Sequence, residues 1–348
     1  MIKILHSADW HLDAPLQGHG EGLRQVLSEL PGKIAEICRQ EQCELVLLSG
    51  DLFDGSYTPH TYQAVYTALK EMAVPVFIAP GNHDYLSPES PWNKELWPEN
   101  VHIFRSGQIE SVALPALSCR VYGAGFLSMD CAAQLEGFTA QAGEKYAIGI
   151  FHGDTTQVNS PYNPITKAQV QASKLDYLAL GHIHLAGSFT AGKTLCAWPG
   201  CPMGRGYDET GEKGVYIVEL SDAAAVRFCP LNTPRFYDLQ AAPDALGSVL
   251  PPVGNAHYYR ITLVGSCETP DLGALQAEYA HFPNLVLRDK TTRPVDVWGS
   301  LGTDSFEGVY FGLLHQAMEA AREEEKQEIL LAAELSRRLL EGQEVVLP

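Results

Sequence analysis

The sequence predicts an α/β chain whose polar residues gather at the carboxyl ends of buried strands. Continuous apolar runs, Leu45-Val46-Leu47-Leu48 and Tyr177-Leu178-Ala179-Leu180 among them, suit strands covered on both faces. Over the first 84 residues such runs alternate with helical patterns, strand–helix–strand–helix–strand. The runs end in Gly, Asp, Asn or His, where open α/β sheets place their ligands. A length of 348 residues exceeds one compact core and predicts a large domain with a smaller one.

Taken in order, Ile2-Lys3-Ile4-Leu5-His6-Ser7 is a first strand delivering Ala8-Asp9-Trp10-His11. Residues two apart in an extended segment share a side, which gives Asp9 and His11 one face. A loop with Pro15, Gly18 and Gly20 follows, and then Leu23, Val26, Leu27, Leu30, Ile34 and Ile37 recur at helical spacing. Pro31-Gly32 is a candidate kink. The run at 45–48 opens into Gly50-Asp51-Leu52-Phe53-Asp54. A helix carrying Tyr62, Val65, Tyr66 and Leu69 leads to Val74–Ala79 and Pro80-Gly81-Asn82-His83-Asp84.

Between about 100 and 135 the pattern is short, β-like and turn-rich. Tyr146–Phe151 is a buried strand ending in His152-Gly153-Asp154, and Tyr177–Leu180 ends in Gly181-His182-Ile183-His184. Further strands are predicted at 195–198 and 215–220. Pro234, Pro243, Pro251 and Pro252 suggest a linker over 231–255. A small α/β unit then spans a strand at 258–264, a helix at 271–281 and a strand at 285–287. The tail from 304 to 342 is helical, with Asp304 and Glu307 as a capping box. The expected domains are 1–235, 236–300 and 301–348.

Composition excludes several classes. With 45% hydrophobic and 19% charged residues, the chain is neither disordered nor membrane-embedded, and no run reaches transmembrane length. The N-terminus meets polar Ser7 and Asp9 too early for a signal peptide, so a cytoplasmic location is expected. The eight cysteines form no Cys-x-x-Cys and are expected to be buried hydrophobes or free thiols. A net charge of −18 opposes autonomous binding of nucleic acid unless cations gather locally or a partner supplies them.

The strand ends together supply Asp9, His11, Asp51, Asn82, His83, His152, His182 and His184. A mixed Asp/Asn/His set suits manganese, iron or zinc better than magnesium or calcium. Eight candidates exceed what one ion needs. Two ions about 3.5–4 Å apart can bind a phosphate, activate a water and stabilise in-line displacement. His83 is then the spare histidine that can protonate a leaving oxygen, with Asp84 as the candidate to orient it.

These pieces resemble the calcineurin-like metallophosphoesterase superfamily, whose pattern is D-x-H, G-D-x-x-D, G-N-H-D, H and G-H-x-H. Asp9-Trp10-His11, Gly50–Asp54, Gly81-Asn82-His83-Asp84, His152 and Gly181-His182-Ile183-His184 stand in that order over about residues 1–220. The resemblance implies a four-layer α/β/β/α sandwich, a small α/β capping domain and a helical C-terminal tail. It also implies that Asp9, His11, Asp51 and His184 hold a first metal. Asp51, Asn82, His152 and His182 would hold a second, with Asp51 as bridge and His83 as catalytic acid.

Within the superfamily the chain is similar to SbcD-like DNA-repair exonucleases of a short YhaO-like branch. The residues that carry this are His6–Asp13, Gly50–Gly55, Pro199-Gly200, Gly204-Arg205 and Glu209–Gly214. Cys201 departs from the serine that often follows Pro-Gly there. That resemblance implies a manganese-dependent nuclease on DNA, partnered by an SbcC-like coiled-coil ATPase, with a homodimer left open. The alternative is a metallophosphoesterase acting on a cyclic nucleotide, nucleotide or phosphoprotein. A non-catalytic descendant would be expected to lose ligands, and none is missing.

Other residues carry weaker expectations. Arg205 is a candidate phosphate contact. Asp13, Asp54 and Asp154 are expected to orient ligands rather than bind metal. His6 is expected to be a satisfied core histidine, and the remaining histidines structural or exposed. Trp92 and Trp97 either stack on bases or pack their own loop. The C-terminal helices either dock on the ATPase or pack on their own domain.

Overall fold

The computed structural model of the chain describes residues 1–16 and 20–342; His19 lies outside them. The chain divides into two compact units, Met1–Asp238 with Ala256–Tyr259, and Leu239–Asn255 with Arg260–Pro348.

The first unit is built on two six-stranded sheets. One holds β1 (Ile2–Ser7), β2 (Leu45–Leu48), β3 (Val76–Ile78), β4 (Val101–Ile103), β11 (Gly214–Leu220) and β12 (Ala224–Pro230), ordered β12-β11-β1-β2-β3-β4. The other holds β5 (Glu110–Leu114), β6 (Cys119–Gly123), β7 (Tyr146–His152), β8 (Tyr177–Gly181), β9 (Gly187–Ala191) and β10 (Thr194–Trp198), ordered β5-β6-β7-β8-β10-β9. β1 runs parallel to β2 and antiparallel to β11, so the first sheet is mixed.

Strand periodicity assigns each residue to a layer. Ile4, Leu45, Leu47 and Phe77 point between the sheets and meet Val121, Ile148, Ile150 and Ala179 from the other side. Their neighbours Leu5, Val46, Leu48 and Ile78 face outward against α1 (Gly20–Gln40) and α2 (Pro59–Met72). On the far side Phe151, Leu178 and Leu180 pack with Val170 of α4 (Lys167–Ser173) and the loop residue Leu135. The result is the four-layer α/β/β/α sandwich. Its fourth layer is thin, because α4 has only seven residues.

Local chemistry sets the helix ends. Thr58 caps α2 through its hydroxyl, Pro59 opens the first turn, and Ala73 closes it in the left-handed conformation. α1 continues through Pro31, so the expected kink does not end it.

Most residues of a three-stranded sheet ordered β13-β14-β15, from β13 (Phe236–Ala241), β14 (Tyr258–Leu263) and β15 (Leu285–Asp289), belong to the second unit. The expected linker at 231–255 thus contains a strand; Pro234 and Pro243 flank it instead of interrupting it. α7 (Phe306–Ala320) and α8 (Glu323–Leu340) belong to this unit. The cap of α7 is Ser305, whose side chain accepts from Gly308 N, and not the expected Asp304. Glu307, freed from a capping role, pairs with buried Arg337, whose guanidinium lies 4.0 Å over the Phe311 ring. No described helix is long and apolar enough to cross a membrane.

The two tryptophans of the loop after β3 are packing residues. Trp92 is fully buried, with Phe53 at 5.4 Å and Trp97 at 5.1 Å between ring centroids, and Trp97 donates its indole N–H to Pro91 O. Trp92→Ala is expected to cost about 3–5 kcal/mol of stability, read as a lower urea midpoint. An unchanged midpoint with weakened DNA binding would return the indole to the base-stacking role.

Candidate metal centre

The candidate residues converge where the carboxyl ends of the two sheets meet, through tight turns rather than extended strands. Asp9, His11, Asp51 and His182 all have positive φ, at 54°, 46°, 53° and 92°. Such backbone costs on the order of 1–3 kcal/mol per residue and persists only where the surroundings fix it. Here they do. Asp9 N–H donates to Gly50 O at 3.0 Å, His11 N–H to Asp51 O at 2.9 Å, and His182 N–H to Asp9 Oδ1 at 3.0 Å. The two-residue spacing therefore works by a different geometry from the expected alternation.

Two glycines permit the approach. A Cβ on Gly81 would fall 2.2 Å from Asp51 Oδ1, and one on Gly181 would fall 2.1 Å from Ser49 O. The motif glycines thus mark where backbone replaces a side chain.

The ligand-type atoms cluster in overlapping sets. Asp9, His11 and His184 offer atoms mutually within 4.8 Å; so do Asp9, Asp51 and His152, and also His11, Asp51 and His83. His11 Nε2 and His184 Nε2 stand 3.2 Å apart, and His11 Nε2 lies 3.7 Å from Asp51 Oδ2. On the other side His152 Nε2 is 3.3 Å from Asp51 Oδ2 and 2.9 Å from Asn82 Oδ1, while His182 Nδ1 is 3.3 Å from Asn82 Oδ1. All seven expected ligands meet, and both Asp9 and Asp51 touch the middle.

The back of each ring shows which nitrogen is turned inward. His11 Nδ1 faces Asp54 Oδ1 at 3.1 Å, His184 Nδ1 faces Glu209 Oε1 at 2.7 Å, and His152 Nδ1 faces Ser49 O at 2.9 Å. An acceptor there holds the proton on Nδ1 and leaves the Nε2 lone pair pointing into the cluster, as metal ligation requires. His182 presents Nδ1 instead.

Electrostatics call for positive charge. Burial opposes ionisation of Asp51, yet His152, His11 and His83 hold its carboxyl well below the usual range. Burial likewise opposes a charge on His152, but Asp51 and Asp9 carry its imidazole up to about 9. The buried carboxylates favour positive charge at the centre, and a divalent cation would supply it. His182 is driven down to about 4 by burial and by His152, which keeps it a neutral donor. The residues fit a two-ion centre.

His83 stands at the rim, 41% exposed, and its Nδ1 meets Asp54 Oδ1 at 2.8 Å. That contact raises the His83 pKa against partial burial. Asp84 does not orient this ring. Its carboxylate accepts from Gly81 N at 2.7 Å, Leu52 N at 2.8 Å and Asp51 N at 3.2 Å, tying the 50–53 and 81–84 turns together. The orienting group is Asp54, shared between His11 and His83. A carboxylate already facing buried peptide N–H groups has no direction left for the neighbouring imidazole.

Sequence reasoning gave no role to Glu209. It is 7% exposed and supports His184 while pairing with Arg205 N at 2.8 Å and Arg205 Nε at 3.2 Å. Burial resists its ionisation, but His184 and Arg205 keep it charged. Lys213 Nζ and Cys201 N hold the His184 carbonyl at 3.2 and 3.3 Å. The signal was present in the Glu209–Gly214 stretch. Arg205 is committed to Glu209 and lies 3.2 Å from His184 Nδ1, at the edge of the centre.

The remaining candidates are structural. Asp13 receives Thr58 N and Thr61 Oγ1 at the start of α2, and Asp154 receives Thr156 N and Oγ1. His6 is buried between Tyr177 Oη and Ser49 Oγ, each at 2.8 Å.

The chain is similar to several known proteins. The uncharacterized metallophosphoesterase YhaO of Bacillus subtilis is 29% identical over 262 residues, covering 70% of this chain and 61% of that protein. The SbcD component of the nuclease SbcCD of Bacillus subtilis is 25% identical over 266 residues, covering 63% and 66%. The chain spans less than two thirds of either relative's length. Among solved structures, a dimetal phosphatase from Danio rerio is 12% identical, with 65% of this chain and 96% of that one aligned at a TM-score of 0.41. Calcineurin-like phosphoesterase is the family that matches residues 2–186, more than half of the sequence, and the chain belongs to it.

Proposed function

We propose that the chain is a two-metal phosphodiesterase acting on DNA, the nuclease component of a cytoplasmic repair complex with an SbcC-like coiled-coil ATPase. The observation that carries the chemistry is Asp51, buried between the His11/His184 pair and the His152/Asn82/His182 group, with His83 at the rim. Asp9, His11, Asp51 and His184 would hold one ion, and Asp51, Asn82, His152 and His182 the other. Manganese suits this mixed set, with iron or zinc as the other borderline choices. The bound ions supply Lewis acidity to the phosphate and lower the pKa of the attacking water.

The chain's own residues do the rest. Asp54 and Glu209 fix the rings of His11 and His184, and Ser49 O fixes His152. His83, raised in pKa by Asp54 and open to solvent on one side, donates a proton to the departing oxygen. The DNA and ATPase assignments are supported by the likeness to the SbcD component of the nuclease SbcCD. The partner also has a surface to meet, since Phe306, Val309 and Leu313 of α7 are 73%, 59% and 62% exposed at helical spacing. A small phosphoester is the second reading, favoured by the net charge of −18.

Hydrolysis of duplex DNA, single-stranded DNA and bis-p-nitrophenyl phosphate with manganese separates the two. Wild type is expected to cleave DNA and the simple diester, and Asp51→Ala neither. Cleavage of the diester alone would favour a small substrate or an obligatory partner. His83→Ala is expected to lower kcat on DNA by roughly 10²–10⁴ with metal stoichiometry unchanged. It should cost less with p-nitrophenolate, which leaves without a proton; equal losses on both substrates would remove His83 as the acid. Glu209→Gln should weaken metal affinity about 10–100-fold in chelator competition, and unchanged affinity would show that Glu209 does not support His184.

A further inference from the structure

The second sheet carries a cavity of about 330 Å³ whose lining includes none of the candidate metal ligands. Phe189 of β9, Trp198 of β10, Ile165 and Val158 give it apolar walls, and Thr156 and Lys167 add polar groups. The Phe189 and Trp198 rings lie 6.0 Å apart at 60°. Lys167 Nζ sits 5.4 Å over the Phe189 ring, and among the described residues no carboxylate pairs with it. Val158 is 74% exposed, an apolar side chain displayed to solvent beside two half-buried rings.

Both walls are continuous with the metal-ligand loops. Thr156 donates from N and Oγ1 to Asp154 Oδ1 at 2.7 and 2.6 Å, and Asp154 lies two residues beyond His152. Trp198 is cross-strand partner to Gly187, and a Cβ there would come within 2.7 Å of the indole, so one side of the ring is pressed on backbone. Pro199-Gly200 follows directly, where a Cβ on Gly200 would stand 2.6 Å from His184 O. An aromatic cavity beside an unpaired ammonium, in a chain of net charge −18, suits a ligand with a flat π face and an anionic group.

We propose that this cavity is a subsite for one nucleobase of a DNA strand whose scissile phosphate lies at the metal centre. Trp198 and Phe189 hold the base, Val158 closes over it, and Lys167 meets the adjoining phosphate. Stacking of this kind accepts any base, because every base has a π face. The subsite rests on the reading of DNA as substrate.

Val158→Glu and Lys167→Ala alter exposed side chains and leave the ligand turns intact. Each is expected to raise KM for a single-stranded oligonucleotide about tenfold, with kcat and hydrolysis of bis-p-nitrophenyl phosphate unchanged. Abasic residues placed one at a time along the oligonucleotide should identify one position that costs wild type about tenfold and costs Val158→Glu nothing further. An unchanged KM in both variants, or an abasic penalty equal in wild type and variant at every position, would overturn the subsite and leave the nuclease standing. If wild type hydrolyses the simple diester but neither binds nor cleaves any oligonucleotide, the DNA reading fails and the subsite falls with it.

Discussion

The metal centre depends on two sheets approaching each other at their carboxyl ends more closely than side chains would permit. Gly181 on one sheet lies where any Cβ would strike Ser49 O beyond the other, and within the first sheet Gly81 makes a similarly close approach to Asp51. Ser49 then serves both sides: its carbonyl faces His152 Nδ1, and its hydroxyl meets His6, which continues to Tyr177. These bonds are buried, where a missing partner would cost about 1–3 kcal/mol, so they pin the approach as well as allow it. The ligand rings inherit their positions from that backbone contact.

The same constraint explains the strained turns. Asp9, His11, Asp51 and His182 occupy left-handed conformations because an extended continuation would carry their side chains past the meeting point. These turns are held by backbone N–H groups that donate to another motif: Asp9 N–H to Gly50 O, His11 N–H to Asp51 O, and His182 N–H to the Asp9 carboxylate. Asp84 completes the lacing by collecting N–H groups from both turns of the first sheet. A carboxylate next to the candidate acid, His83, can thus belong to the scaffold, while the group that orients the histidine lies far back in the sequence.

Much of this was legible in the chain. The apolar runs of β2, β7 and β8 and the motif residues at their ends located the seven ligand candidates, because strand burial and ligand chemistry both leave local marks. The pairing of strands into two sheets was not local, and only the resemblance implied it. Period-two spacing named Asp9/His11 and His182/His184 but missed their turns, since periodicity carries no sign of φ. Asp54 over Asp84, and Glu209 behind His184, depend on contacts across 29 and 25 positions, which no window of sequence displays. The strand β13 was hidden for another reason: prolines at its flanks resemble a linker when pairing is unknown.

Charge links the two halves of the function. Asp9, Asp51, Asp54, Asp84 and Glu209 crowd the centre, against Arg205 and Lys213 as nearby side-chain cations, and Arg205 is already spent on Glu209. In a chain of net charge −18, a phosphate diester meets repulsion at this surface until divalent charge is present. On the proposed two-metal reading, metal and substrate would therefore bind with positive coupling, and by linkage the substrate would tighten the metal by the same factor that the metal tightens the substrate. On the proposed function, the carboxylates that would repel DNA from the bare protein are the ones that would gather the ions that bring it in.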